Sequence, residues 1–103
     1  ARVLAAIQRR AAFHSEDEDR LAARRPLARP GDWTSHIEVR DAEAAINSTR
    51  RLIRLARAAA KRIHILHITT AEEMELIAEA RDLVTCEVTP QHLTLEAPEA
   101  YRR

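Results

Sequence analysis

Short apolar runs alternate with longer amphipathic stretches along this 103-residue chain. Three short runs are dominated by apolar residues, which is typical of strands buried in a parallel sheet. They are residues 10–14, 63–68 and 83–88. Three longer stretches repeat apolar residues at helical spacing with charged residues between them. They are residues 15–25, 41–60 and 71–80. The order β-α-β-α-β predicts an α/β fold with parallel strands and right-handed crossovers.

The remaining stretches are less regular. Residues 3–10 are rich in good helix formers and predict a short helical lead-in. Pro26, Pro30 and Gly31 interrupt the pattern and predict a loop over residues 27–39. Three strands are too few to close, and their outer edges would be unpaired in isolation, whereas a barrel would pair them with further strands. We therefore expect residues 1–103 to be one partial barrel domain with no internal boundary.

Two histidines occupy equivalent places in this pattern. His14 ends the first predicted strand and His67 ends the second, and each is followed by helix-starting residues. Thr70 and Glu73 fit a capping box, in which a threonine hydroxyl and a glutamate satisfy a helix N-terminus. Adjacent parallel strands lie about 4.8 Å apart and end at one edge, where α/β folds place their chemistry. If the first two strands are adjacent, the two imidazoles can converge on one ion, and imidazole suits zinc.

Each histidine also has an ordinary interpretation, because a histidine in an apolar run is more often a core residue than a ligand. The repeated context favours the metal site. Glu16 and Asp17 follow His14 and could orient it as neighbouring carboxylates. A helix N-cap or first-turn role competes with that interpretation, and Glu16 is expected to lie nearer the site. His64, three residues before His67, is predicted to point to the opposite face and pack against a helix.

Composition excludes several classes of function. With 17 basic and 16 acidic residues, the net charge of +1 provides no strong field toward nucleic acid or an anionic membrane. No apolar run approaches a membrane span, and the N-terminus lacks the order of a signal peptide. The lone Cys86 fits a reducing, cytoplasmic compartment. One glycine and three aromatic residues are few for a complete domain, which favours a piece of a larger protein.

Three segments carry a resemblance to a known family. They are His14-Ser15-Glu16-Asp17-Glu18, Leu66-His67-Ile68-Thr69-Thr70-Ala71-Glu72 and Glu87-Val88-Thr89-Pro90-Gln91-His92-Leu93. In order and spacing they resemble three successive segments of dihydroorotase, in the amidohydrolase superfamily. The resemblance runs over nearly the whole chain and covers strands five to seven of a TIM-type (β/α)₈ metal-dependent hydrolase barrel. The third segment is the most specific, since related hydantoinases and allantoinases usually carry cysteine before the proline and tyrosine in place of His92.

The resemblance implies a zinc hydrolase that interconverts N-carbamoyl-L-aspartate and dihydroorotate in pyrimidine biosynthesis. It implies that His14 and His67 are metal ligands, with two Zn²⁺ ions in a complete site. A metal-bound hydroxide would attack the cyclic amide carbonyl, which the metal polarises. The implied partners are this small-molecule substrate and the remaining barrel strands of a full-length enzyme, with neither nucleic acid nor membrane, and homo-oligomerisation is left open.

Several features of the family have no counterpart in this chain. The His-x-His pair of strand one, the carboxylate or carboxylated-lysine bridge, the substrate-binding arginine and asparagine, and the aspartate of strand eight are all missing. A catalytic zinc normally takes three protein ligands and water, so we expect this chain alone to be inactive. Two alternatives stay open: another cyclic amidohydrolase of the hydantoinase or allantoinase type, or a non-catalytic barrel remnant with a structural role.

Overall fold

The computed structural model describes residues 2–102, which form a three-stranded parallel sheet with helices packed on one face. The strands are β1 (Ala11–Phe13), β2 (Ile63–Ile65) and β3 (Val84–Cys86), in the order β1-β2-β3. Phe13 pairs with Ile65, which in turn pairs with Cys86. The topology is that of consecutive units of a (β/α)₈ barrel, as the sequence predicts. The ends of the predicted domain, Ala1 and Arg103, lie outside the described residues.

Six α-helices accompany the strands within residues 2–102. They are α1 (Arg2–Ala6), α2 (Glu18–Arg24), α3 (His36–Val39), α4 (Ala42–Ala59), α5 (Ala71–Ala78) and α6 (Pro90–Thr94). Two of these helices, α4 and α5, begin where the sequence places helix-starting residues. The Asp41 side chain accepts a hydrogen bond from the Ala44 N–H at the start of α4, and the Thr70 hydroxyl accepts one from the Glu73 N–H at the start of α5. These caps satisfy backbone donors that lack partners within the helix.

The segment predicted as a loop is more ordered than expected. It contains α3 and a 3₁₀ turn, Trp33–Ser35, in which the Thr34 N–H donates to the Asp32 side chain. Arg29 binds both Asp32 and Glu38, at 2.8 Å and 2.6 Å. These contacts join residues three and nine positions apart, so they supply local structure where no apolar periodicity exists. Further 3₁₀ turns are Arg25–Leu27 and Glu99–Arg102.

The hydrophobic core lies between the sheet and the helices. It is formed by apolar side chains of α1, the strands, α4, α5 and the short segments that follow β2 and α5. Nine of these side chains are buried: Leu4, Ile53, Ala56, Ile63, Ile65, Ile68, Ile77, Ala80 and Val84. Phe13 packs against this cluster from β1. Over residues 2–102, no helix has the length and apolar character needed to cross a membrane.

His64 lies on the other face of the sheet, so the prediction that it packs against a helix is wrong. Its neighbours in β2, Ile63 and Ile65, both face the helices, and alternation turns His64 away from them. The His64 ring instead lies 2.9 Å from the Thr85 hydroxyl and 3.3 Å from the Glu87 carboxylate, both on the neighbouring chain segment. The prediction failed because it assumed that β2 stays extended as far as His67.

Candidate metal centre

His14 and His67 meet at the carboxyl edge of the sheet. His14 directly follows β1, and the adjoining strands remain hydrogen-bonded up to that point, since the Leu66 N–H donates to the Phe13 carbonyl over 3.0 Å. His14 Nδ1 lies 2.6 Å from His67 Nε2. The ring centroids are 4.8 Å apart and the ring planes are inclined by 39°. Residues separated by 53 positions therefore present ring nitrogens to a common point.

The backbone of His67 explains how the rings reach one another. Strict alternation would place His67 on the helix face with Ile65, whereas His14 follows Phe13 and lies on the opposite face. His67 has a φ of +39°, in the left-handed region that side-chain-bearing residues rarely adopt. This single residue breaks the alternation and turns its ring toward His14, while Ile68 returns to the core. Such a conformation costs about 1–3 kcal/mol and is concentrated at functional sites.

The two nitrogens suit a metal ion chemically. At 2.6 Å there is room for at most one proton between them, so at least one ring directs a lone pair into the gap. Imidazole nitrogen is a preferred ligand of zinc. Within residues 2–102, no group of three or more histidine, cysteine, aspartate or glutamate side chains is placed to hold a metal. The pair thus fits part of a donor set, with further ligands required from elsewhere.

The two carboxylates after His14 make other contacts. Asp17 caps α2, accepting hydrogen bonds from the N–H groups of Asp19 and Arg20. Glu16 forms a salt bridge with Arg40. In the part of the chain that the structure describes, neither carboxylate is hydrogen-bonded to His14 or His67. An orienting role for Glu16 or Asp17 stays a prediction. The contacts that they make hold the segment after His14 against α2 and Arg40.

An open cleft of about 980 Å³ borders the histidine pair on the side of His67. Its wall includes Glu16, Arg40, Thr69 and His92. The His92 ring lies 2.9 Å from the Thr89 hydroxyl, so it helps to fix the turn after β3. The volume is within the range of clefts that hold small-molecule ligands.

A buried polar chain beneath the histidines was not predicted from the sequence. Ser15, Thr49 and Glu73 are hydrogen-bonded in series, with distances of 2.7 Å for each link. The capping-box pattern identified Glu73, but its partner Thr49 lies in the middle of α4 and carries no local signal. A polar residue inside the apolar stripe of α4 is the only feature of the sequence that could have indicated it.

Comparisons with known proteins identify related chains. No protein-family model matches this sequence. It is 34% identical over 83 residues to a dihydroorotase from Carboxydothermus hydrogenoformans, covering 76% of this chain and 19% of the relative. It is 33% identical over 95 residues to an allantoinase from Rubrobacter xylanophilus, covering 86% of this chain and 21% of the relative.

A solved structure extends the likeness to three dimensions. The D-hydantoinase from Bacillus sp. AR9 superposes with a TM-score of 0.75 at 31% identity, covering 82% of this chain and 20% of that one. The chain spans about a fifth of the length of each of these three relatives. All three names denote enzymes that act on cyclic amides.

Proposed function

Since this chain is homologous to one segment of the amidohydrolase superfamily, we propose that it supplies two zinc ligands, His14 and His67, to a cyclic amide hydrolase that acts on dihydroorotate. The proposal covers the reversible cyclisation of N-carbamoyl-L-aspartate as the activity of the full-length protein. Homology supports the hydrolase class. Zinc and dihydroorotate are the more specific parts of the proposal, and each has its own test below.

One observation carries the metal assignment: the 2.6 Å approach of His14 Nδ1 to His67 Nε2 at the carboxyl ends of adjacent parallel strands. A packing role alone would not require His67 to hold a left-handed backbone conformation. Barrel enzymes place their reacting groups at this edge of the sheet. The convergence, the strain and the location together support a ligand role for both rings.

The chemistry of the proposed site divides between metal and protein. A bound zinc ion would polarise the amide carbonyl and acidify a coordinated water. His14 and His67 would bind it through Nδ1 and Nε2, the two nitrogens that face one another. Neutral imidazole contributes no charge, so the ion would keep its full positive charge toward the reacting carbonyl. The adjoining cleft would admit the ring of the substrate.

Two observations bear on which cyclic amide is the substrate. The segment from Glu87 to Leu93 resembles dihydroorotases, since related enzymes usually carry a cysteine before the proline and a tyrosine in place of His92. The D-hydantoinase structure, at 31% identity, favours instead a hydantoin-type ring. We choose dihydroorotate because one of the two differing positions, His92, borders the cleft.

Zinc content of the full-length protein tests the ligand assignment. We expect the wild-type protein to retain zinc after dialysis, and His14→Ala and His67→Ala each to lose most of it, measured by mass spectrometry of the metal. His64→Gln is the matched control, because His64 lies in β2, three residues before His67, but contacts Thr85 and Glu87. Full zinc content in both alanine variants would overturn the assignment and favour a structural role for the domain.

Competing substrates test the reaction. We expect kcat/KM for dihydroorotate to exceed the values for hydantoin and allantoin by at least about 100-fold. A cleft that hydrogen-bonds one polar ring rejects another ring because the second ring leaves polar groups of the cleft without partners. A reversed preference, with zinc still bound by both histidines, would replace dihydroorotate by another cyclic amide. Absence of turnover on all three would remove the hydrolase proposal.

A further inference from the structure

Glu73 is a buried carboxyl group whose partners are hydroxyl and amide groups. Only 1% of its surface is exposed. Across residues 2–102 it takes part in no salt bridge, although an unpaired buried carboxyl is expensive to desolvate. Its compensation comes from the hydroxyls of Thr49 and Thr70, at 2.7 Å and 3.0 Å, and from the N–H of Thr69 at 3.4 Å.

The two oxygens of Glu73 serve different parts of the fold. Oε2 accepts from Thr70 and from the Thr69 N–H, which completes the cap of α5. Oε1 accepts from the Thr49 hydroxyl, on helix α4. A capping box needs only the first of these sets. The second links α5 to another helix, which capping does not explain.

The link continues to the other histidine segment. Thr49 is fully buried, and its hydroxyl lies 2.7 Å from the hydroxyl of Ser15, which is also buried. Because Thr49 gives its one proton to Glu73, Ser15 must donate to Thr49. Ser15 directly follows His14, and Thr69 lies two residues after His67. The chain Ser15–Thr49–Glu73–Thr69 therefore joins the backbones that carry the two rings.

We propose that Ser15, Thr49 and Glu73 form a positioning network that fixes the His14 and His67 segments relative to one another, so that the two ring nitrogens converge on one metal ion. The inference rests on the proposed metal site. The network anchors the turn that follows the strained His67, through the Thr69 N–H. It does so from within the core, where fully satisfied hydrogen bonds are rigid.

Metal affinity of the full-length protein tests the network, with Co²⁺ as the probe. Thr49→Val keeps the shape of the side chain and removes the hydroxyl, whereas Thr49→Ser keeps the hydroxyl. We expect Thr49→Val to bind Co²⁺ about 10-fold more weakly or worse, with an altered visible spectrum, because outer partners of metal ligands typically contribute 10–100-fold in affinity. Thr49→Ser should stay within about 3-fold of wild type by the same criterion.

Ile53→Val is the matched control, since Ile53 is buried one turn further along α4 and packs in the core without joining the network. Its affinity should be unchanged although its stability falls. Thr49→Val with the affinity and spectrum of wild type would overturn the network. Should Thr49→Val not fold, Ser15→Ala breaks the same link and is judged by the same two readouts.

The two proposals fail in different ways. If wild type binds Co²⁺ no more tightly than the His14→Ala/His67→Ala double variant, the metal site fails and the network with it. If the double variant loses Co²⁺ while Thr49→Val and Ser15→Ala retain it at wild-type affinity, only the network fails.

Discussion

Residues 13–20 and residues 66–73 have the same design, yet they are held in place by different forces. Both run from the end of a strand through a histidine to the capped start of a helix. The first segment has one buried contact, from Ser15 to Thr49, and is otherwise held by partly exposed ion pairs: Arg20 with Asp41, Glu16 with Arg40, and Asp17 with Arg51. The second is tied by the buried carboxyl of Glu73.

The backbone differs as well. His67 has a positive φ, a property that among the described non-glycine residues it shares only with Ala60, at the end of α4. His14 follows its strand without such a conformation. Exposed ion pairs contribute little and are screened, whereas buried hydrogen bonds resist distortion. The comparison teaches that the segment of the strained ligand is held mainly from the core, whereas the segment of the unstrained ligand combines one core contact, at Ser15, with ion pairs at the surface.

The largest expected difference lies between the two helix-capping carboxylates. Glu73→Ala should lower the free energy of unfolding by about 2–4 kcal/mol, because it empties a buried site and leaves the Thr49 and Thr70 hydroxyls without an acceptor. Asp17→Ala should cost about 1 kcal/mol, the usual effect of losing an N-cap. Urea unfolding of the full-length variants measures both.

Glu72→Ala provides the control for this comparison, because Glu72 is the exposed neighbour of Glu73 in the same helical turn. Its effect should stay within about 0.5 kcal/mol. If Glu73→Ala and Asp17→Ala lower the free energy of unfolding equally, residues 66–73 are held no more firmly than residues 13–20.

A glycine scan compares the two histidine backbones. At position 67, glycine should be more stable than alanine by about 1 kcal/mol, since a left-handed conformation is strained for any residue with a Cβ. At position 14 the order should reverse, because there glycine only adds freedom to the unfolded chain.

Ala60→Gly is the positive control for this scan, with a φ of +50° at a helix end and no role in the metal site. It should stabilise the protein. If glycine and alanine were equally stable at position 67 while Ala60→Gly stabilised as expected, His67 would not be strained. Thermal unfolding of the full-length variants supplies these values.

The smallest expected effect is the loss of stability when acid breaks the partly exposed ion pair between Arg20 and Asp41. Hydrogen bonds from Arg20 hold the pKa of Asp41 below its usual range, and the Ala44 N–H adds to the effect. A carboxyl whose pKa is lowered in the folded state stabilises the fold above its unfolded pKa of about 3.9, and the contribution is lost as the pH falls through the folded value.

Asp41→Asn tests that response, because asparagine still caps a helix but cannot pair with Arg20. The difference in urea midpoint between wild type and Asp41→Asn should be constant from about pH 5 to pH 7 and should shrink below about pH 4. The difference for Ile53→Val, an apolar control, should not change over that range. If the difference in urea midpoint between wild type and Asp41→Asn persists at about pH 2, it contradicts the interpretation that an ion pair is the cause.

Local signals in the sequence predict much of this fold. The three apolar runs predict the strands, and Thr70 with Glu73 predicts the start of α5, because each signal is contained within a few residues. The strand order follows from the handedness of crossovers, which needs no tertiary information. The proximity of His14 and His67 could be inferred from the same topology.

Features that depend on distant residues could not be predicted. Thr49 meets Glu73 only because α4 packs against α5. The side of the sheet that His64 occupies depends on where β2 ends and on the φ of His67, which no residue pattern encodes. The ordered turn at Trp33–Ser35 escapes prediction for another reason, since ion pairs between residues up to nine positions apart stabilise it and leave no apolar periodicity.

Anomalous diffraction at the zinc edge, from crystals of the zinc-loaded full-length protein, tests most directly whether the two rings share a metal. We expect a zinc peak within bonding distance of both His14 Nδ1 and His67 Nε2, at about 2.0–2.1 Å from each. A peak that contacts only one of the two rings, or zinc bound elsewhere with these rings hydrogen-bonded to one another, would contradict the shared metal site.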